Sequence, residues 1–319
     1  MKILYFHWAF DDVGGGEYFA NDVGRALNIP VHSIVNTKDN KFNFIDISSH
    51  LSPIIRKIRR IRTLDYFTWS SVDVTEFGDF DLILTSGSTP RALITPENVP
   101  HVNISFSTPR WLYDLYHWRR KRMGFGKELI IPFAECMRIL DVVADKRVDY
   151  YISISPIIQR RLQKYMKRSS DIIYPSINIS EYGTFKYFEN DHYLFLSRLE
   201  PEKQPEEAIK ACIDANVQLV VVGTGSLESK LRKKYKYNTN IKFLGFVTEE
   251  QKIQNLATCK ALIYTPIAED FGIVPIEALA SGKPVICSND GFPPNLIKDK
   301  YGVITDGTIE GISQAIKTL

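Results

Sequence analysis

Short apolar runs alternate with stretches of helical period along nearly the whole chain, and that alternation calls for parallel sheets covered by helices. Lys2–Phe6, Val31–Val35, Leu82–Thr85, Val102–Phe106 and Tyr150–Ser153 read as buried strands. Gly14-Gly15-Gly16-Glu17 follows the first of them and leads to a helix near Tyr18–Leu27. Thr85-Ser86-Gly87-Ser88 reads as a polar turn at a strand's carboxyl end, and Pro156 suits the first position of a helix. Between Pro175 and Glu189 the period is lost. The alternation then restarts with Tyr193–Ser197, Gln218–Val222, Ile241–Leu244, Ala261–Thr265 and Val285–Cys287, the last closing the series. Helices are expected at Pro205–Ala215, with Glu206 and Glu207 in the first turn, and at Thr248–Ala257, with Thr248 as cap. The fold class is therefore α/β, two Rossmann-like doubly wound domains spanning 1–177 and 178–319. Ligands of such sheets sit at the carboxyl ends of the strands, so the two halves are expected to enclose a groove.

Bulk properties narrow the function classes. A chain of 319 residues fits two domains. A net charge of +3 is too mild to argue for a nucleic-acid partner. Cys136, Cys212, Cys259 and Cys287 form no CxxC and read as reduced core residues. The N-terminus looks like a first strand and shows no signal-peptide cleavage site, and no apolar run nears the ~20 residues that cross a bilayer. A cytoplasmic protein is expected, with peripheral contact at the inner membrane face as an option.

Ala268–Gly282 carries the chemistry. Glu269 follows a strand, Gly272 lets the backbone approach a ligand, Pro275 suits the first turn of a helix and Gly282 its end. The free N–H groups of that first turn can hold phosphate oxygens. Glu269 and Glu277 flank this anion site, which is sensible only if they face hydroxyls. A nucleotide sugar offers hydroxyls on both sides of its diphosphate.

The Glu269–Glu277 pair, with seven residues between, resembles the paired-glutamate motif of retaining GT-B glycosyltransferases. The string EDFGIVPIEALASGKPVI is similar to glycosyltransferase family 4 over its whole length. The resemblance implies that Glu269 and Asp270 lie at the donor sugar, that the backbone of Phe271, Gly272 and Ile273 meets sugar and phosphates, and that Glu277 binds ribose. Ser197–Lys203 resembles the family's diphosphate clamp. Arg198 and Lys203 would then stabilise the charge that develops on the leaving diphosphate. Gly223-Thr224-Gly225 is either a donor-contacting turn or a plain strand-to-helix turn; Glu228 replaces the third glycine of a dinucleotide fingerprint, which argues against an NAD enzyme. Phe246 could stack on the base or belong to the core. Gly15 and Gly16 resemble the family's glycine-rich loop, or form a merely flexible turn. The resemblance implies a nucleotide-sugar donor, UDP- or GDP-linked, as substrate rather than cofactor, and a glycan or lipid-linked acceptor.

The pattern departs from the family at Ser107, which stands where a histidine usually precedes Thr-Pro. Serine can donate one hydrogen bond but cannot carry a proton near neutral pH. Family members are thought to let the leaving diphosphate take the acceptor's proton, so activity is still expected; a catalytically silent donor-binding protein is the alternative. His101 and His117 read as structural. Asp79-Phe80-Asp81 reads as a strand lead-in rather than a metal motif, and no metal is expected. The chain stops soon after its last helix, so the long terminal helix common in this fold is expected to be short or missing. Arg56–Arg62 and Trp118–Arg122 are basic; Leu51–Phe67 could form a helix with Ile54, Ile55, Ile58 and Ile61 on one face. Such a helix either lies on an anionic membrane surface or packs on its own domain.

Overall fold

The computed structural model describes residues 1–8, 14–34, 42, 44–58, 64–124, 126–183, 191–297 and 299–319. The chain divides into Met1–Pro175 and Ser176–Leu319. The division falls two residues ahead of the expected boundary, because Ile177 packs into the second unit's core.

The first unit holds a seven-stranded sheet: β1 (Ile3–His7), β2 (Val31–Ser33), β3 (Phe44–Asp46), β4 (Leu82–Ser86), β5 (His101–Ser105), β6 (Tyr150–Ser153) and β7 (Asp171–Ile172). Its order is β3-β2-β1-β4-β5-β6-β7, every neighbouring pair parallel. The second holds six strands: β8 (His192–Leu196), β9 (Gln218–Val222), β10 (Ile241–Gly245), β11 (Leu262–Tyr264), β12 (Val285–Ser288) and β13 (Gly302–Thr305). Their order is β10-β9-β8-β11-β12-β13, again parallel throughout. In each sheet the order reverses between the first strand and its later neighbour: β1 and β4 in one, β8 and β11 in the other. Those reversals are where doubly wound sheets leave a crevice for ligand.

The period of two in the strands explains how one sheet builds two cores. Tyr193, Phe195, Leu219 and Val221 face the helices Pro205–Asp214 and Ile309–Thr318. Leu194, Leu196, Val220 and Val222 face the helices Glu249–Thr258 and Ile273–Ala280. Burying each such side chain contributes about 1.5–3 kcal/mol, so a one-residue slip in register would expose a whole face.

Several expectations need correction. Val285–Cys287 does not close the series; β13 lies beyond it, and a Cβ on Gly302 would fall 2.0 Å from the Val285 carbonyl oxygen, so the edge strand packs on β12 only as glycine there. β3 and β7, which were not expected, are the two partly exposed edges of the first sheet. The first helix starts at Gly15, with Gly14 as its cap and the Glu17 carboxylate accepting the Gly14 N–H at 2.9 Å. Cys136 is exposed, unlike Cys212, Cys259 and Cys287, whose thiols burial pushes up to about 12. Leu51–Phe67 holds the described helix Pro53–Ile58 and the start of another, Asp65–Ser70; Ile54 is exposed while Ile55 packs on the core. Arg59–Arg62, Val35 and residues 184–190 lie outside the described residues.

His101 is buried, with Nδ1 donating to the Arg147 carbonyl at 3.0 Å and Nε2 taking the Thr85 hydroxyl at 2.9 Å. Asp81 precedes β4 and accepts the Lys2 N–H at 2.7 Å, a strand lead-in. A buried polar knot ties the helix Ile130–Asp145 to the first unit: Asp141 accepts from Tyr66 at 2.6 Å, from Tyr113 at 2.9 Å and from Arg91.

Candidate active site

Four adjacent strands of the second sheet deliver the candidate residues at their carboxyl ends. Arg198 and Lys203 follow β8, Gly223 and Gly225 follow β9, Gly245 ends β10 ahead of Phe246, and Glu269–Ile273 follow β11. At the switch between β8 and β11, Lys203 Nζ donates to Glu269 Oε2 at 2.5 Å. Both side chains are mostly buried, 12% and 14% exposed, so water screens the pair little. Tyr264, the last residue of β11, is buried; burial first, then the charge of the Glu269 carboxylate, pushes its phenol well above its ordinary range.

The loop carrying Glu269 is held from three directions. Ile267 N–H donates to the Glu202 carbonyl at 2.8 Å, Ala268 N–H to the Asp290 carboxylate at 2.9 Å, and Phe292 N–H to the Glu269 carbonyl at 2.9 Å. Ala268 sits at φ 51°, a left-handed conformation that costs a non-glycine residue roughly 1–2 kcal/mol and concentrates at functional sites. Gly291 approaches so closely that a Cβ there would lie 2.4 Å from the Glu269 nitrogen.

Helix Ile273–Ala280 starts beside this glutamate with Gly272 as its cap. The N–H groups of Gly272, Ile273 and Val274 have no acceptor within the helix, and Pro275 contributes none. The Phe271 ring is buried and stacked on Phe292 at 5.4 Å, which leaves its backbone, not its ring, for ligand contact. Asp270 lies next to Glu269 at the same strand end.

Glu277 lies one turn inside the helix and is 5% exposed. Its Oε1 accepts from Tyr182 at 2.8 Å and from Lys252 Nζ at 2.6 Å, and Lys252 also pairs with Glu249. Oε2 takes no donor among the described residues. Burial pulls the Lys252 ammonium down, but the Glu277 and Glu249 carboxylates outweigh it and hold it above its ordinary value. The two glutamates therefore each have a lysine counter-charge, which removes the repulsion that bare carboxylates would exert on an anion between them.

Arg198 is exposed and makes no ion pair among the described residues. Its loop is clamped by the glycine turn: Leu199 N–H donates to the Thr224 carbonyl at 2.7 Å, and Ser226 donates to Glu200 from its N–H at 2.9 Å and its hydroxyl at 2.5 Å. Gly223 is at φ 124°, and a Cβ there would sit 2.0 Å from the Ser197 oxygen. Close approach of the two loops explains Gly223 and Gly225 whether or not a donor touches them. Phe246 is 65% exposed, so it is not a core residue.

In the first unit, Gly15 and Gly16 form the first turn of a helix rather than a loop. A Cβ on Gly16 would meet the Phe106 ring at 3.3 Å, and Ser107, the next residue, donates its hydroxyl to the Thr108 carbonyl at 2.9 Å. All of these stand at the carboxyl ends of β1 and β5.

Tyr182, Lys252 and Tyr264 were not singled out from the sequence. Only Tyr264 had a local signal, its place at the end of the strand that precedes Glu269.

Residues 185–319 match the family model described as glycosyl transferases group 1. An alpha-1,3/1,6-mannosyltransferase of Dictyostelium discoideum is 27% identical over 209 residues, 51% of this chain and 49% of that protein. The chain thus spans about half the length of that curated relative. An uncharacterized glycosyltransferase of Methanocaldococcus jannaschii is 22% identical over 94% of this chain and 82% of its own length. A GDP-mannose-dependent phosphatidylinositol dimannoside mannosyltransferase of Mycobacterium tuberculosis is 30% identical over 38% of this chain and 33% of that one. Among solved structures, Anabaena HepE in complex with UDP-glucose superposes with a TM-score of 0.69 at 18% identity, over 98% of this chain and 89% of that one. WaaG, a glycosyltransferase involved in lipopolysaccharide biosynthesis, gives 0.69 at 14% identity, over 99% and 90%. The fold is that of the GT-B glycosyltransferases, and over residues 185–319 the chain is similar to the glycosyl transferases group 1 family.

Proposed function

We propose that the chain transfers a hexose from a UDP- or GDP-sugar to a glycan or lipid-linked acceptor, with retention at the anomeric carbon. The observation that carries this reading is the Lys203–Glu269 pair at the strand switch, beside the first turn of helix Ile273–Ala280. A diphosphate at that helix tip meets the N–H groups of Gly272, Ile273 and Val274, with Lys203 and Arg198 as cations. Glu269 accepts from hydroxyls of the sugar, and Glu277 Oε2 from those of the ribose. As the bond from the anomeric carbon to the diphosphate breaks, its electron pair leaves with the nucleoside diphosphate, where the fixed cations stabilise it. The acceptor oxygen bonds to the same face of that carbon, and its proton passes to the departing diphosphate oxygen. This route needs neither a protein base nor a metal, which accommodates Ser107. Both donor classes have support: the mycobacterial relative is named for GDP-mannose, and the Anabaena neighbour holds UDP-glucose.

A panel of UDP-, GDP- and ADP-sugars, with thermal shift and release of nucleotide as readouts, tests the proposal. A UDP- or GDP-sugar should raise the melting temperature and be turned over in the presence of an acceptor. Activity should survive EDTA. Arg198→Ala should weaken nucleoside-diphosphate binding, and unchanged affinity would remove the clamp. A second reading, donor binding without transfer, is favoured by the Ser107 hydroxyl being engaged with the Thr108 carbonyl. Nucleotide binding with no turnover on any acceptor would establish it.

A further inference from the structure

Helix Ile130–Asp145 is apolar on two opposite sides. Ala134, Met137, Ala144 and the bonded carboxylates of Asp141 and Asp145 face inward. Leu129, Phe133, Cys136, Ile139 and Val143 follow one another at helical spacing on the other side. That outer stripe is in solvent: Leu129 is 79% exposed, Ile139 63% and Val143 48%, with Phe133 and Cys136 also exposed. A helix that is apolar all round is normally covered all round, and a contiguous exposed apolar face marks an interaction surface.

The segment leading into the stripe is basic. Residues 116–128 carry Arg119, Arg120, Lys121, Arg122 and Lys127 against one acid, Glu128. Glu128 is taken by Arg120 at 2.7 Å, and Arg122 lies over the Trp118 ring at 3.9 Å. The helix has 16 residues, so it runs about 24 Å, and no helix among the described residues is long and apolar enough to cross a membrane.

The geometry points to an anionic lipid surface as the occupant of this face. The stripe lies flat at the boundary of headgroups and acyl chains, and the neighbouring cations meet lipid phosphates. Charge complementarity selects lipid over a second copy of the chain: the outer face offers one acid, Glu135, already paired with Arg138, so a copy supplies nothing to meet the cations. The stripe also reaches the acceptor-side strand ends, because Trp111, four residues past Ser107, stacks on Phe133 at 5.8 Å. Membrane docking there presents a lipid-linked acceptor to those strand ends, and this last step rests on the transferase reading.

The experiment is sedimentation of the full chain with vesicles of phosphatidylglycerol and phosphatidylethanolamine, and with phosphatidylcholine alone. The anionic vesicles should bind the protein, phosphatidylcholine should not, and about 0.5 M salt should weaken the binding. The combined variant L129Q/I139Q/V143Q and, separately, R119Q/K121Q/R122Q should each bind at least about ten-fold more weakly. Unchanged melting temperature and donor turnover on a soluble acceptor show that both variants are folded. Equal binding of wild type and variants, or no preference for anionic vesicles, overturns the proposal. So does a wild-type dimer in free solution that L129Q/I139Q/V143Q converts to monomer. Vesicle binding without donor turnover would sink the transferase reading and leave the surface standing.

Discussion

Lys203 and Glu269 are 66 residues apart in the chain and 2.5 Å apart in space, at the point where the second sheet reverses its strand order. One was expected to serve the diphosphate and the other the sugar. Their contact makes them a unit: removing either leaves a mostly buried charge without its partner.

Glu269→Ala should therefore abolish transfer, lowering kcat/KM by at least about a hundred-fold, the size of losing one fixed electrostatic contact to a transition state. Far-UV circular dichroism should be unchanged. Steady-state kinetics on the purified variant decide it, and wild-type turnover would remove Glu269 from the site.

Lys252→Ala strands Glu277 in a 5% exposed position with only Tyr182 as donor. The expected loss of stability is about 2–4 kcal/mol, that of breaking a buried pair from one side. Urea unfolding measures it. Lys252→Ala together with Glu277→Leu should regain part of that loss, since the stranded charge is gone; a purely additive double variant would contradict the coupling.

Phe246→Ala removes a ring that is 65% exposed, so stability should change by less than about 0.5 kcal/mol. If the ring stacks on the base, KM for the donor should rise by about five- to a hundred-fold with little change in kcat. An unchanged KM would make Phe246 a bystander.

His101 links stability to acid pH. Burial lowers its pKa from 6.5 to about 4, with the Arg147 carbonyl opposing. The folded state thus favours the neutral ring, while the unfolded chain takes up a proton below pH 6.5. Stability from this group is complete above that pH and falls progressively toward pH 4, by up to about 3 kcal/mol. Urea melts at pH 7 and pH 5 should show a smaller difference for His101→Gln than for the wild type; equal differences would rule His101 out as the source.

Gly223→Ala should displace the Arg198 loop, because its Cβ would fall 2.0 Å from the Ser197 oxygen and its backbone sits at φ 124°. Lower melting temperature together with weaker nucleotide binding is expected. Unaltered binding of nucleoside diphosphate would separate the glycine turn from the donor site.

The second unit was largely legible before folding. Gln218–Val222 is apolar from Leu219 onward and ends in glycine, and the strand occupies those very residues. Thr248 reads as a helix cap, and its hydroxyl accepts the Gln251 N–H, with Gln251 returning the bond to the Thr248 N–H to close a capping box. Gly282 ends its helix at φ 71° with Lys283 N–H donating to the Ala278 carbonyl at 2.9 Å, the turn that glycine permits. β3, β7 and β13 escaped notice because all three are sheet edges and partly exposed, so they lack the fully buried run that marks the equally short β2 and β11. Gly15 and Gly16 looked like a loop because glycine is a poor helix former, yet Glu17 reaches back to the Gly14 N–H and sets the helix start there.

Local pattern alone determined where strands run, where glycine must turn the chain and which residues stand at strand ends, because each of these depends on backbone chemistry within a few residues. Which of those ends become neighbours was decided only by the sheet order β10-β9-β8-β11. That order brings Lys203 to Glu269, and the packing of helices Ile179–Tyr182 and Glu249–Thr258 against Ile273–Ala280 brings Tyr182 and Lys252 to Glu277. Such pairings join residues far apart in sequence through the burial of whole faces, and no window of a few residues contains that information.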